Sequence, residues 1–135
     1  MQKMIKLRPQ GQGLYEFTNE VQQFVAESGI DTGLCTLFVK HTSCSLVIQE
    51  NADPSARRDL ERWFARLVKE DDPLYTHTHE GTDDMPAHIK AALTATSINV
   101  PITDGRLCLG IWQGIYLFEH RYHPGERTVV THLSG

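Results

Sequence analysis

Long apolar runs are missing from this chain, and none approaches the length needed to cross a bilayer as a helix. Basic runs are missing too, and the net charge of −4 offers nothing to nucleic acid or to an anionic membrane. There are only three cysteines, Cys35, Cys44 and Cys108, each inside an apolar segment. An odd number without close pairing excludes a disulfide framework. The three read as buried, inert thiols of a cytoplasmic protein. Cys44 is the one position with a sharper alternative, a nucleophilic thiol, because it lies just past His41. No glycine-rich phosphate loop, nucleophile elbow or dinucleotide fingerprint occurs. The first residues, Met1 to Pro9, break every apolar stretch with a charge and do not read as a signal peptide. The length of 135 residues is that of one domain, 1–135.

What is present is a chain dominated by short strands. Met4 to Arg8 alternates apolar and polar residues, and Leu14 to Phe17 returns after Gly11-Gln12-Gly13. Thr18 caps a helix that buries Val21, Phe24 and Val25 and ends at Gly29. Leu34 to Val39 is almost wholly apolar and reads as a central strand covered on both faces. Cys44 to Ile48 follows. Asp53 then caps, and Pro54 opens, the strongest helix, with Ala56, Leu60, Trp63, Phe64 and Leu67 on one side. Lys69 to Thr82 is a polar connection longer than compact domains usually tolerate without a purpose. Asp84 caps a short helix with Pro86 in its first turn, running to about Ala95. Strands follow at Ile98 to Ile102, Leu107 to Gly110, Ile115 to Phe118 and Thr128 to Leu133. Pro101 suggests an edge or bulge, and Asp104-Gly105 a tight hairpin. The strands come in pairs instead of alternating with helices. That order favours an α+β fold of mainly antiparallel sheets with three inserted helices.

Chemistry concentrates between His77 and His88, where three imidazoles and three carboxylates fall within twelve positions. In an extended His77-Thr78-His79 both rings face one side. Imidazole with carboxylate suits zinc or a similar divalent ion, although no fixed-spacing zinc motif is present. A polar surface loop that happens to hold histidines is the alternative. His88, in the first turn of a helix, is kept neutral by the helix dipole, as a ligand or a general base requires. His41-Thr42-Ser43 ends an apolar strand, so its imidazole and hydroxyls are held rigidly enough to bind a metal or an anion, or simply to close a turn. Trp112-Gln113-Gly114 interrupts two apolar strands and either lines a pocket for a planar ring or forms a core bend. Glu119-His120-Arg121 and His123 read as surface groups at a strand end. Lys40, Arg121 and Arg127 are the cations to consider for phosphate.

Taken together, His41-Thr42-Ser43, Glu50-Asn51-x-Asp53-Pro54, Glu80-Gly81-x-Asp83-Asp84-x-Pro86-x-His88-Ile89 and Gly110-x-Trp112-Gln113-Gly114-Ile115 resemble the signature of the YjbQ family, also labelled secondary thiamine-phosphate synthase. The resemblance spans about Lys6 to Leu133. It implies a β-sandwich-based α+β domain assembled as a homotrimer, with a polar cleft near subunit boundaries and no nucleic-acid or membrane partner. It also implies an enzyme acting on a small phosphorylated molecule with a divalent metal, zinc or magnesium. His41, Asp83 and His88 are then the catalytic candidates. His41, His77 and His88 are the metal candidates, and Thr42, Ser43, Asn51, Trp112 and Gln113 the substrate or anion candidates. A non-catalytic, trimeric metal- or anion-binding protein is the competing implication, and a purely structural role for the histidines at trimer contacts is a third. Cys44 and Ile111 stand where similar proteins usually carry alanine and threonine.

Overall fold

A computed structural model of the chain describes residues 1–135. In chain order the elements are β1 (Gln2–Leu7), β2 (Gly13–Glu16), α1 (Thr18–Ser28), β3 (Gly33–Val39), β4 (Cys44–Glu50), α2 (Pro54–Leu67), α3 (Asp84–Leu93), β5 (Ser97–Thr103), β6 (Arg106–Leu107), β7 (Gln113–Glu119) and β8 (Arg127–Ser134). They form a five-stranded sheet, β1-β8-β3-β5-β6, and a three-stranded sheet, β2-β7-β4. Every pairing is antiparallel. The α+β reading therefore holds. Cys35, Leu37, Val39, Val129 and Leu133 from the larger sheet and Leu46, Ile115 and Leu117 from the smaller meet in one core, which Val21, Phe24 and Val25 of α1 close. Burial of such residues is the main stabilising term.

Local chemistry explains most of the element ends. Asp53 Oδ1 accepts the Ser55 amide at 2.9 Å and Pro54 sits in the first turn of α2, as the sequence predicts. Gly29 ends α1 in the left-handed region, φ 72°. Asp104 and Gly105 both have positive φ, 52° and 75°, the geometry a two-residue hairpin demands.

Four expectations change. Thr18 does not cap α1: its Oγ donates to Glu16 Oε2 (2.8 Å) and accepts the Ile115 amide (2.8 Å), tying the helix to β7. β3 is central, between β8 and β5, but only one face is covered. Leu34 and Phe38 remain exposed on the other, beside Met4 of β1. The strand expected at Leu107 to Gly110 stops at Leu107: the Cys108 amide still donates to the Pro101 carbonyl (2.8 Å), but proline has no N–H to return, and Gln113 closes the next turn onto Gly110. Asp84 is the first residue of α3, not its cap, and the cap position belongs to Asp83. Helix α2 lies on the outer face of the small sheet, where Phe64 meets Phe118 edge-on at 5.2 Å.

Candidate functional site

Helix α3 and the loop before it converge on Asp84. Its carboxylate is almost fully buried, and its two oxygens have different partners. Oδ1 accepts Arg121 Nη1 at 2.7 Å, while Oδ2 lies 2.8 Å from His77 Nε2 and 3.3 Å from His88 Nε2. The three donor atoms of His77, Asp84 and His88 all lie within 4.8 Å of one another. His88 follows Asp84 by one helical turn, so the two side chains share a face. His77 arrives from the loop, its ring 5.4 Å from that of His88.

The orientation of His88 is set by its other nitrogen. Nδ1 lies 3.1 Å from the Thr42 carbonyl, which can only accept, so Nδ1 carries the ring proton. A neutral His88 therefore presents the Nε2 lone pair to Asp84 Oδ2. Two electron-rich atoms at 3.3 Å need a proton or a cation between them. A backbone carbonyl holding one imidazole nitrogen so that the other is free is the usual outer support of a metal-binding histidine.

Arg121 is the brace of this site. Besides Asp84 it donates from Nε to Asp83 Oδ2 (3.1 Å) and from Nη2 to the Glu80 carbonyl (2.7 Å), so one guanidinium joins the loop, the helix start and the exit of β7. Asp83 also accepts the Tyr122 amide at 2.8 Å. Burial works against its ionisation, yet the Tyr122 amide and Arg121 outweigh it and hold the carboxyl below the ordinary carboxylate range. Asp83 is thus occupied in fixing the loop, and the carboxylate that faces the histidines is Asp84.

His41 stands outside the cluster. Its Nε2 accepts the Thr128 amide at 2.9 Å, while Nδ1 lies 3.4 Å from Arg127 Nη1. Desolvation, then the Arg127 charge, pushes its pKa down, so the ring stays neutral. With Nε2 already bonded to the backbone, His41 has no free lone pair for a metal. It borders, with His88, Thr42, Phe38, Lys40 and Ala92, an open groove of about 470 Å³. His79 is exposed and does not join the donor set.

Ser43 Oγ accepts Arg127 Nη2 at 2.9 Å. Arg127 in turn is paired with Glu119, Nε to Oε1 at 2.6 Å and Nη2 to Oε2 at 2.5 Å. Both arginines considered for phosphate are therefore committed to carboxylates, and of those three cations only Lys40 is without one. Glu119 and His120, expected at the surface, are among the most buried side chains. Burial drives the His120 pKa down to about 3, helped by Lys90 and Arg127. Its Nε2 lies 2.9 Å from Ser45 Oγ. Nothing in the local sequence marks His120 as internal; the only hint is that it continues the apolar run Ile115 to Phe118.

Cys35 and Cys44 are buried, with thiols pushed up to about 11 and about 12 by desolvation, which removes Cys44 as a nucleophile. Cys108 is exposed, contrary to its expected burial, because the strand it was assigned to ends before it.

The remaining candidates sit elsewhere. β4 and β7 pair from Cys44–Glu119 at one end to Glu50–Gln113 at the other, so Asn51, Trp112 and Gln113 lie roughly 20 Å from the histidine end by strand rise. Asn51 Nδ2 donates to Glu16 Oε2 (3.1 Å), Gln113 Oε1 accepts the Gly110 amide (2.7 Å), and Trp112 is 61% exposed. A Cβ on Gly114 would stand 2.6 Å from Glu16 Oε2, so a side chain there would displace that carboxylate from Asn51 and Thr18. Within one chain these residues do not reach the groove at His88.

Fold and donor set together define the class: a two-sheet, antiparallel α+β domain with a His/Asp cluster at the start of its last helix. Residues 3–135 match the family described as UPF0047 protein YjbQ-like, and the chain belongs to that family. It is 54% identical over 134 residues to a UPF0047 protein of Synechocystis sp., covering 99% of this chain and 91% of that one. To the UPF0047 protein YjbQ of Escherichia coli O157:H7 it is 42% identical over 135 residues, covering 99% and 97%. The fold matches the crystal structure of an uncharacterised YjbQ/UPF0047 family protein from Clostridium acetobutylicum with a TM-score of 0.86, at 34% identity and 99% coverage of each chain.

Proposed function

We propose that His77, Asp84 and His88 hold a divalent transition cation, zinc before magnesium, and that the chain is an enzyme acting on a small phosphorylated substrate in the groove beside His88. The single observation that carries this is the pose of His88, with Nδ1 on the Thr42 carbonyl and Nε2 turned toward Asp84 Oδ2 beside His77. Tetrahedral zinc with ligands at about 2.0–2.1 Å spaces its donors by roughly 3.3 Å, so the cluster needs only small adjustments. Two imidazoles among three ligands favour zinc over magnesium, which prefers oxygen. Bound there, a zinc ion supplies Lewis-acid polarisation of a phosphoryl oxygen or an acidified water.

The chain's own residues complete the reading. Arg121 fixes Asp84 so that Oδ2 alone faces the histidines. Lys40, exposed on the groove, supplies the positive charge that Arg121 and Arg127 no longer offer to a phosphate. Phe38 and Ala92 give the groove an apolar wall for the body of the substrate. The finer form of the proposal is the thiamine-phosphate-synthase type of transfer that the resemblance implies. It joins a pyrimidine-methyl group to a thiazole nitrogen with release of pyrophosphate. A cytoplasmic location belongs with it, in keeping with two buried free thiols, Cys35 and Cys44; no helix is long and apolar enough to cross a membrane.

Assembly as a homotrimer is part of the same proposal. The exposed Leu34 and Met4 on the open face of the larger sheet are apolar surface it would cover. Light scattering coupled to size exclusion tests the assembly. For the site, zinc titration against a chromogenic chelator in wild type, His88→Ala and Asp84→Asn is decisive when read beside pyrophosphate release from paired pyrimidine and thiazole phosphates. Zinc affinity and turnover lost together support the enzyme. Zinc bound without turnover reduces the reading to a binding protein, and equal zinc affinity in all three proteins rejects the site.

A further inference from the structure

Positive charge is unevenly spread over this chain, whose net charge is −4. Four of its eight arginines, Arg57, Arg58, Arg62 and Arg66, stand on α2. None of the four forms an ion pair, whereas Arg121 and Arg127 are held by carboxylates inside the fold. Arg57 borders a hollow with Glu16 and Glu61. Arg58, Arg62 and Arg66 recur at intervals of four, each about 6 Å further along the axis, so they form one row. Leu60 and Phe64 pack against the small sheet, and the row is exposed on the opposite side of the helix.

Apolar surface adjoins the row. Trp63 is 47% and Leu67 51% exposed, one helical turn apart on its flank. Trp63 meets Phe64 edge-on at 5.3 Å, and with Arg62, Arg66 and Asp59 it lines an open hollow of about 360 Å³. Asp59 pairs with neither arginine. An exposed tryptophan alone, or a row of arginines alone, is ordinary helix surface. Together they have the make-up of an interface hot spot, in which tryptophan and arginine are the enriched residues. Guanidinium groups in particular suit carboxylate partners, which they bind through paired N–H donors.

The charges around the row limit the size of that partner. Asp53 precedes the helix, and Glu70, Asp71 and Asp72 follow it. A long polyanion or an anionic membrane would lay its own charge over these carboxylates, whereas a short segment matched to the row, about 12 Å long, does not.

We propose that the outer face of α2 docks a short acidic peptide segment of another protein, with carboxylates on Arg58, Arg62 and Arg66 and an apolar side chain against Trp63 and Leu67. Recognition of acidic motifs by arginine clusters is a recurrent binding mode. None of these residues belongs to the His77, Asp84 and His88 set, so the surface is independent of the metal reading.

The test uses the full chain carrying Trp112→Phe, in which Trp63 is the only tryptophan. Its emission is followed during titration with a short peptide of Glu and Asp around one Leu, and with the same peptide in which Gln and Asn replace the acids. A thymidine oligonucleotide and phosphatidylserine–phosphatidylcholine vesicles are titrated separately. A saturable change is expected with the acidic peptide, weakening as salt rises. Arg62→Gln combined with Arg66→Gln should weaken it about tenfold or more. Lys3→Gln combined with Arg106→Gln removes the same charge from exposed positions elsewhere and should weaken it less than about twofold. Glutamine is a good helix former, so α2 is kept, which circular dichroism verifies. No response to the acidic peptide, equal affinity in the two double variants, or a stronger response to the neutral peptide, the oligonucleotide or the vesicles overturns the proposal. A change of Trp63 emission with protein concentration alone, abolished by Arg62→Gln with Arg66→Gln, assigns the face to a second copy of the chain and overturns it too.

Discussion

At the Cys44–Glu119 end of the three-stranded sheet, guanidinium–carboxylate pairs are buried or half-buried against one another, whereas at the Glu50–Gln113 end the polar side chains are exposed and largely close local turns. Arg121 spans from β7 to the helix start at Asp83 and Asp84, and Arg127 from β8 to Glu119 and Ser43. At the other end Gln113 bonds Gly110, Glu50 bonds the Asp53 amide, and Trp112 projects into solvent. The first arrangement immobilises charged and lone-pair-bearing atoms against each other, which is what binding chemistry requires. The second closes turns and leaves an aromatic surface that a single chain does not use.

The sharpest way to break this contrast is to remove Arg127. Arg127→Met leaves the buried Glu119 carboxyl group without its cation, and should lower the unfolding free energy by about 3–5 kcal/mol. Gln113→Ala at the opposite end should cost no more than about 1.5 kcal/mol. Denaturant unfolding of the two variants compares them directly, and similar losses would deny that the ends differ. Next in size, Arg121→Gln should weaken zinc binding about 10–100-fold, the usual effect of losing an outer support, while Asn51→Ala leaves it unchanged. Chelator competition measures both.

Acidification gives a third test. The folded-state pKa of His120 is about 3, below its unfolded value near 6.5, so the unfolded chain binds the extra proton between those values. Stability is therefore insensitive to this group above pH 6.5 and falls as the pH drops, by up to about 1.4 kcal/mol per pH unit. His41, shifted in the same direction, adds to the slope. His120→Phe should flatten it in melts taken from pH 6.5 to 4.5, and an unchanged slope would show that His120 is not buried as described. Smallest of all, Trp112→Ala should change the unfolding free energy of the chain by no more than about 0.5 kcal/mol and leave zinc binding intact. A large loss would mean that the aromatic end is covered in solution.

Much of the architecture can be read from the residues alone, because local signals decide it. The Asp53-Pro54 helix start, the Asp104-Gly105 hairpin and the Gly29 stop each depend on the chemistry of one or two positions. The site is legible only in part. His77 and His88 stand out by density, but Asp84 is disguised by the ordinary capping role of an aspartate at a helix start, and Asp83 looks equivalent to it. Arg121, 37 and 38 positions away, bonds both, and they differ in the second partner, the Tyr122 amide for Asp83 and the two histidines for Asp84. His41 shares a residue type with the cluster and differs in its partner, the Thr128 amide, 87 positions on. The burial of Lys90, Glu119 and His120 is likewise tertiary, since the cover comes from α2 and β8.

The most direct test is elemental mass spectrometry of tag-free protein after zinc loading and desalting, for wild type and His88→Ala side by side. The account predicts about one zinc per chain in wild type and essentially none in the variant, with the two metal-free proteins unfolding at similar temperatures and zinc raising that of wild type alone. Equal zinc in the two proteins, or none in either, would contradict it and leave Asp84 a buried carboxylate held by Arg121 and the two histidines alone.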